Sequence, residues 1–175
     1  MGFVAKLGRR IVALTALVAG ASALAALPAA AAEPVQIQRS IPYASGSQAT
    51  AAVREQCGLQ TKVPDFIKQF AGEGVQLVDA INPKKGRVLK LEITEVFAPG
   101  GGGMSGPKWM SVKGELFDKG KQIGSFRAKR YSTGGVFGGY KGTCAIIGRC
   151  SKTIGQDIAS WLAAPTKDAE LGDAH

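Results

Sequence analysis

Histidine is almost absent from this chain: the only one is His175, the last residue. A histidine-activated nucleophile or an imidazole metal site therefore cannot be built within a folded core. The 13 acidic residues supply no substitute, since no two stand at a spacing typical of an acid and a base. Glu92 and Glu95, for instance, are predicted on opposite faces of one strand. The sequence predicts a protein that is not an enzyme and has no cofactor or metal.

Phosphate-binding motifs are also missing, although the chain has 24 glycines. Two glycine clusters stand out, residues 100–103 and residues 134–142. The second leads into a predicted helix, where free amides and the helix dipole favour anions. Its order is Lys-Gly-Thr, however, whereas the phosphate loop requires Gly-Lys-Ser/Thr. The pattern favours a plain connection. The alternative is a weak anion site on the amides of residues 144–146, with Lys141, Gly142 and Thr143 as further contacts.

Cysteine is scarce, and no Cys-x-x-Cys pair exists that would indicate a redox enzyme. If Cys144 and Cys150 share one helix they lie about 9 Å apart along its axis, beyond the roughly 7 Å limit for a disulfide. Cys57 is then one partner. Because Cys150 falls on the core stripe of the helix, we predict Cys57–Cys144, with Cys57–Cys150 as the alternative.

No long apolar run occurs after residue 32, but one precedes it. Residues 11–27 carry no charge and follow a basic start with Lys6, Arg9 and Arg10. This order, closed by small residues, is typical of a secretory signal peptide, and we predict cleavage after Ala32. The alternative is an uncleaved membrane anchor, since 17 apolar residues approach the lower limit for a span. No cysteine ends the segment, so the sequence does not indicate a lipoprotein.

Export limits the partners that the basic charge can indicate. The net charge is +9, and removal of the three basic residues of the signal leaves +6. These charges are scattered from Arg39 to Lys167, which favours a solvated surface. We expect a periplasmic or secreted protein that does not bind nucleic acid. An anionic glycan or lipid and an envelope protein are the candidate partners.

Residues 33–164 are predicted to form a single α+β domain, followed by a polar, frayed tail over residues 165–175. Alternation at residues 35–38 predicts a strand that ends near Pro42. Further strands are predicted at residues 75–78 and 87–97, and a hairpin at residues 109–117 and 123–131. The expected sheet is antiparallel with about four to five strands. A long C-terminal helix capped by Thr143 covers it, with an apolar stripe at Ile147, Cys150, Ile154, Ile158 and Trp161. One or two short N-terminal helices complete the fold, the second beginning at Pro64.

Aromatic residues give one further candidate contact. Trp109 and Phe117 share a strand face, and if that face is solvated they form an exposed patch suited to a ligand. Trp161 continues the helical stripe and is predicted in the core.

Five short motifs carry a resemblance over residues 89–162: Leu-Glu-Ile-Thr at 91–94, Gly-Ser-Phe at 124–126, Gly-Gly-x-x-Gly-Gly at 134–139, Gly-Thr-Cys at 142–144 and Asp-x-x-x-Trp-Leu at 157–162. This segment resembles uncharacterised small secreted or periplasmic proteins of proteobacteria. It is also distantly similar to the amino-terminal domain of the TolB type. The resemblance implies envelope assembly or scaffolding rather than catalysis, and implies no functional residues. Together these observations predict a non-enzymatic accessory or binding protein of the envelope, the alternative being a carrier of an anionic glycan or lipid.

Overall fold

A computed structural model describes residues 1–2 and 33–174. Residues 3–32, which make up all but the first two residues of the predicted signal peptide, and His175 lie outside the described residues. Three single-turn 3-10 helices (Gly72–Gly74, Gly102–Ser105 and Gly138–Tyr140) accompany nine longer elements in residues 33–174. These are β1 Val35–Gln38, α1 Ala51–Gln56, α2 Leu59–Ala71, β2 Val75–Val78, β3 Arg87–Phe97, β4 Lys108–Asp118, β5 Lys121–Ser132, α3 Thr143–Ala163 and β6 Ala169–Gly172.

The sheet has six strands in the order β2-β1-β3-β4-β5-β6. The strands β3, β4 and β5 form the predicted antiparallel meander, and Lys119 and Gly120, both with positive φ, make the turn between the last two. The outer pairs β1–β2, β1–β3 and β5–β6 are parallel. The α+β class is therefore confirmed, but the sheet is mixed and larger than the antiparallel one we expected.

Helix α3 covers one face of the sheet as predicted. Its whole stripe is buried: Ile147, Cys150, Ile154, Ile158 and Trp161. Strand residues such as Leu89, Ile93 and Met110 are fully buried in the same core cluster. Helix α2 packs beside α3, where a Cβ on Gly155 would overlap the side chain of Phe66. No helix in residues 33–174 is long and apolar enough to cross a bilayer.

The start of α2 differs from the prediction. The helix begins at Leu59 after Gly58, so Pro64 lies inside it rather than at its first position. An internal proline leaves the carbonyl four residues earlier without its helical donor. Here the amide of Ile41 donates to that carbonyl, on Gln60, at 3.1 Å. A tertiary hydrogen bond thus compensates for the missing helical one, and local sequence reasoning had no sign of it.

The tail beyond Pro165 is not frayed, contrary to our expectation. Residues 169–172 form β6, which adds to the edge of β5 in parallel. The side chain of Arg130 on β5 holds Asp157 of α3 at 2.8 Å and Asp173 of the tail at 3.5 Å. This hydrogen bond to Asp157 is the main cause that raises the pKa of Arg130 above its ordinary value. The ion pairs therefore join strand, helix and tail.

Candidate functional site: an apolar tip on two glycine loops

Two glycine-rich loops meet at one end of the sheet. The first loop, residues 98–107, joins β3 to β4, and the second loop, residues 133–142, joins β5 to α3. Lys108 at the start of β4 pairs with Ser132 at the end of β5, so the loops leave the sheet side by side. Several of their glycines take positive φ, including Gly101, Gly102, Gly106, Gly134 and Gly135. Glycine adopts this backbone conformation without steric cost, so the sequence permits both loops to coil tightly.

The loops contact each other through their backbones. The amide of Gly103 donates to the carbonyl of Lys141 at 2.9 Å. Thr143 bonds the first loop through its hydroxyl, which donates to the Pro99 carbonyl at 3.0 Å and accepts from the Gly102 amide at 3.2 Å. A Cβ on Gly103 would overlap the carbonyl of Gly138. Glycine is therefore required at position 103 for this close approach.

A buried lysine holds the first loop. The side chain of Lys108 is fully buried, and its ammonium donates to the Gly102 carbonyl, the Ser105 hydroxyl and the Gly106 carbonyl at 2.8–3.0 Å. These three bonds satisfy all three donors of the ammonium. We did not predict this role, although position 108 shares the strand parity of the core residues Met110 and Val112. This shared parity was the one feature of the sequence that indicated the burial of Lys108.

A second lysine holds the second loop. The ammonium of Lys141 donates to the carbonyls of Gly134 at 2.7 Å and Val136 at 3.2 Å. The N-cap of α3 is Gly142, and not Thr143 as predicted, because the Thr143 hydroxyl bonds the first loop. The amides of Ala145 and Ile146 donate to the Gly142 carbonyl. Lys141 and Thr143 thus contact the protein itself, and anion binding by this segment stays a prediction.

The predicted disulfide lies directly behind the loops. Cys57 is bonded to Cys144, with Cα atoms 4.9 Å apart, which confirms the preferred pairing over the alternative through Cys150. The bond links the C-terminal end of α1 to the first turn of α3. Cys150 is free and buried, and burial raises the pKa of its thiol to about 12.

Four large apolar side chains project from these fastened loops into solvent. We call them the tip. Their exposed fractions are 85% for Met104, 78% for Val136, 75% for Phe137 and 93% for Tyr140. Phe137 has a φ of +59°, a conformation that costs a residue with a side chain about 1–2 kcal/mol. From the sequence we described these loops only as glycine-rich and did not predict the tip. The feature that could have indicated it is the presence of large apolar residues among the glycines.

Basic residues predominate in the sequence around the two loops. Neither glycine loop contains an acidic residue, and residues 119–156 contain eight basic residues and no acidic one. Of these, Arg149 lies close to the tip, since its guanidinium is 3.1 Å from the Cβ position of Gly135. Lys152, one turn further along α3, is exposed. The tip is therefore apolar, with the guanidinium of Arg149 at the base of its second loop.

An aromatic row lies beside the tip on the solvated face of the sheet. Phe97, Trp109 and Tyr131 are consecutive partners across β3, β4 and β5. The rings of Phe97 and Trp109 stack at 3.9 Å, and Tyr131 is 64% exposed. Trp109 lies on the solvated face of the sheet, which was the condition for an exposed aromatic patch. The side chains of Trp109 and Phe117 are, however, only partly exposed. Trp161 is buried in the core as predicted.

The same face carries an open groove of about 650 Å³. Three cations line it (Lys113, Arg127 and Lys129), and four carboxylates line it too (Glu95, Glu115, Asp168 and Glu170). Lys113 lies 2.9 Å from Glu92, and this hydrogen bond is the main cause that raises the pKa of Lys113. The cations of the groove are thus balanced by acids, which gives an anionic ligand little attraction.

The placement of Glu92 and Glu95 corrects our prediction. A bulge shifts the register of β3 between Ile93 and Glu95, so Glu92 pairs with Lys113 and Glu95 with Ser111. Both glutamates consequently lie on the solvated face rather than on opposite faces. Each is engaged by its surroundings: Glu95 accepts from the Ser111 hydroxyl at 3.2 Å and lies 4.0 Å from Lys129. In residues 33–174 no three potential ligands of the His, Cys, Asp and Glu types group as a metal site.

Comparison with known proteins gives only remote likenesses. No family model matches the chain, and no curated protein matches it. Among solved structures, a PelC variant dodecamer from Paraburkholderia phytofirmans has a TM-score of 0.46 and 13% identity, covering 75% of this chain and 89% of that one. A minor lipoprotein from Acinetobacter baumannii has a TM-score of 0.37 and 15% identity, covering 75% of this chain and 94% of that one. Likenesses at this level assign neither family nor function.

Proposed function

We propose that this chain is an exported, non-enzymatic accessory or binding protein of the cell envelope, and that it contacts its partner through the tip. The observation that carries the proposal is the group of four apolar side chains, 75–93% exposed, on two interlocked loops. Single exposed apolar residues are ordinary on protein surfaces, whereas a contiguous apolar patch marks an interaction site. Here the residues are concentrated on two adjoining loops.

The way in which the loops are fastened supports binding rather than chance exposure. Lys108 and Lys141 bond loop carbonyls, and the backbones of the two loops bond each other. A loop that is ordered before binding loses less conformational entropy when the partner arrives. The strained backbone of Phe137 fits this reading, because strain persists where the surrounding structure enforces it.

Export is supported by the Cys57–Cys144 disulfide, since such bonds form and persist in oxidising compartments. The signal peptide and the distant link to the TolB type stay predictions. The absence of catalysis is likewise part of the proposal. It is supported by the origin of the raised pKa of Lys113 and of Arg130, each of which comes mainly from a hydrogen bond to one neighbouring carboxylate in an ion pair.

Photo-crosslinking in living cells tests the proposal. A benzophenone amino acid is placed at position 137 of the full chain, and a matched control carries it at position 70, an exposed phenylalanine on α2. We expect a defined envelope adduct from position 137 and none from position 70. Equal adducts from both positions, or none from position 137, would contradict a role for the tip.

A further inference from the structure

We infer that the tip docks on the surface of an anionic lipid bilayer. This inference rests on the proposed function and names the partner of the same site. It requires side chains suited to the boundary between headgroups and acyl chains, cations that meet the headgroups, and a shape that lets both reach one surface. The described residues supply all three.

The side chains of the tip suit the boundary region of a bilayer. Phe137 and Tyr140 are aromatic, and aromatic rings are enriched where apolar chains meet polar headgroups. Tyrosine combines an apolar ring with a polar hydroxyl that stays in contact with water. Met104 and Val136 add apolar surface with no charge. None of the four carries a group that would resist transfer into the boundary region.

The charge around the tip complements an anionic surface. Arg149 lies against Gly135 at the base of the second loop, and Lys152 is exposed on the same helix. Basic residues close to an anionic leaflet each add attraction, which falls off within a Debye length. The two loops that carry the tip contain no acidic residue and so add no opposing repulsion. The anionic surface is therefore the occupant that the charge favours over an uncharged apolar cleft in a protein.

The geometry places the apolar residues beyond the charges. The four tip residues are at least 75% exposed, whereas the ammonium of Lys141 is turned back toward loop carbonyls. Loops that are tied to each other and to α3 can enter the boundary region without unfolding. The carbonyls of Gly102, Gly106 and Gly134 keep their bonds to Lys108 and Lys141 as water is excluded, which lowers the cost of unsatisfied carbonyls.

Vesicle sedimentation tests this inference on the purified full chain. We expect sedimentation with vesicles of phosphatidylglycerol and phosphatidylethanolamine, little with phosphatidylcholine alone, and weaker binding as salt rises. The double variant Arg149→Gln with Lys152→Gln should bind about tenfold more weakly. Phe137→Gly should also reduce binding, while the control Phe70→Ser should bind as the unaltered chain does. No sedimentation with anionic vesicles, or equal binding by Phe137→Gly, would overturn the inference.

The chemistry of the crosslink from position 137 separates the two proposals. A lipid adduct supports the inference. A polypeptide adduct together with absent vesicle binding overturns the inference but leaves the proposed function standing. Neither adduct nor vesicle binding overturns both. Circular dichroism and thermal unfolding of every variant check that any lost binding occurs in a folded protein.

Discussion

Phe137 shows at the scale of one residue how the tip departs from a plain loop. Its φ of +59° is one that glycine adopts freely, and the second loop has glycines on both sides of Phe137. Replacement of Phe137 by glycine removes the strain but also loosens the unfolded chain, and the two effects oppose each other. We expect the free energy of unfolding of Phe137→Gly to stay within about 1 kcal/mol of the original.

A matched control for that variant is Val136→Gly, because the φ of Val136 is not positive. Glycine there relieves no strain and should lower the free energy of unfolding by about 0.5–1 kcal/mol. Urea unfolding monitored by tryptophan fluorescence measures both. A loss of several kcal/mol in Phe137→Gly would mean that the ring supports the fold and does not serve binding alone.

Cys150 illustrates how burial controls chemistry. With its pKa raised to about 12, the thiol has about one part in ten thousand as thiolate at pH 8. We expect iodoacetamide to leave Cys150 unmodified at pH 8 until the chain unfolds, while the variant Ser160→Cys, at an exposed position of α3, reacts readily. Because folding raises the pKa of Cys150 from its ordinary value near 9, the neutral thiol stabilises the folded state fully below pH 9. This stabilisation is lost as the pH rises from about 9 toward 12.

Prediction from sequence was best for residues whose surroundings are set by their own element. The stripe of α3 was foreseen from periodicity, and helix geometry excluded a bond between Cys144 and Cys150. Lys108 was missed because lysine is almost always solvated, and only tertiary contacts with the first loop reveal its burial. Residue type alone misleads where a buried ammonium is satisfied by backbone carbonyls of an adjoining loop.

At the scale of elements, the interlock of the two glycine loops is the feature that sequence could least supply. Gly103→Ala should displace the first loop from Gly138 and lower the free energy of unfolding by about 1–3 kcal/mol. Gly100→Ala is the matched control, because nothing lies within 4 Å of its Cβ position and its φ is not positive. Thermal unfolding of the pair compares them, and equal melting temperatures would show that the loops do not need their close approach.

Elements with strong alternation, above all β3 and the hairpin of β4 and β5, were predicted nearly to their ends. The parallel strand β6 was not, because four residues of a polar tail carry no periodic signal. The residue after it, Asp173, is paired with Arg130, 43 residues earlier in the sequence. The bulge that turns Glu95 onto the solvated face was equally invisible to a strict period of two.

At the scale of the whole molecule, the export prediction has a direct mass signature. The full chain expressed in bacteria and isolated from the envelope should yield a protein that begins at Glu33 and lacks two hydrogens because of the Cys57–Cys144 bond. Reduction should restore those two hydrogens. Intact mass spectrometry before and after reduction measures both features, and a mass that includes residues 1–32 would support the uncleaved anchor instead.

The central claim is that the tip attaches this protein to the envelope. The most direct measurement is the fraction of the chain that sediments with washed envelopes from cells at low salt. We compare the original chain, a variant in which Met104, Phe137 and Tyr140 are all replaced by serine, and the control Phe70→Ser. The account predicts that the original and the control sediment alike and that the tip variant stays in solution although it remains folded. Equal sedimentation of all three chains would contradict it.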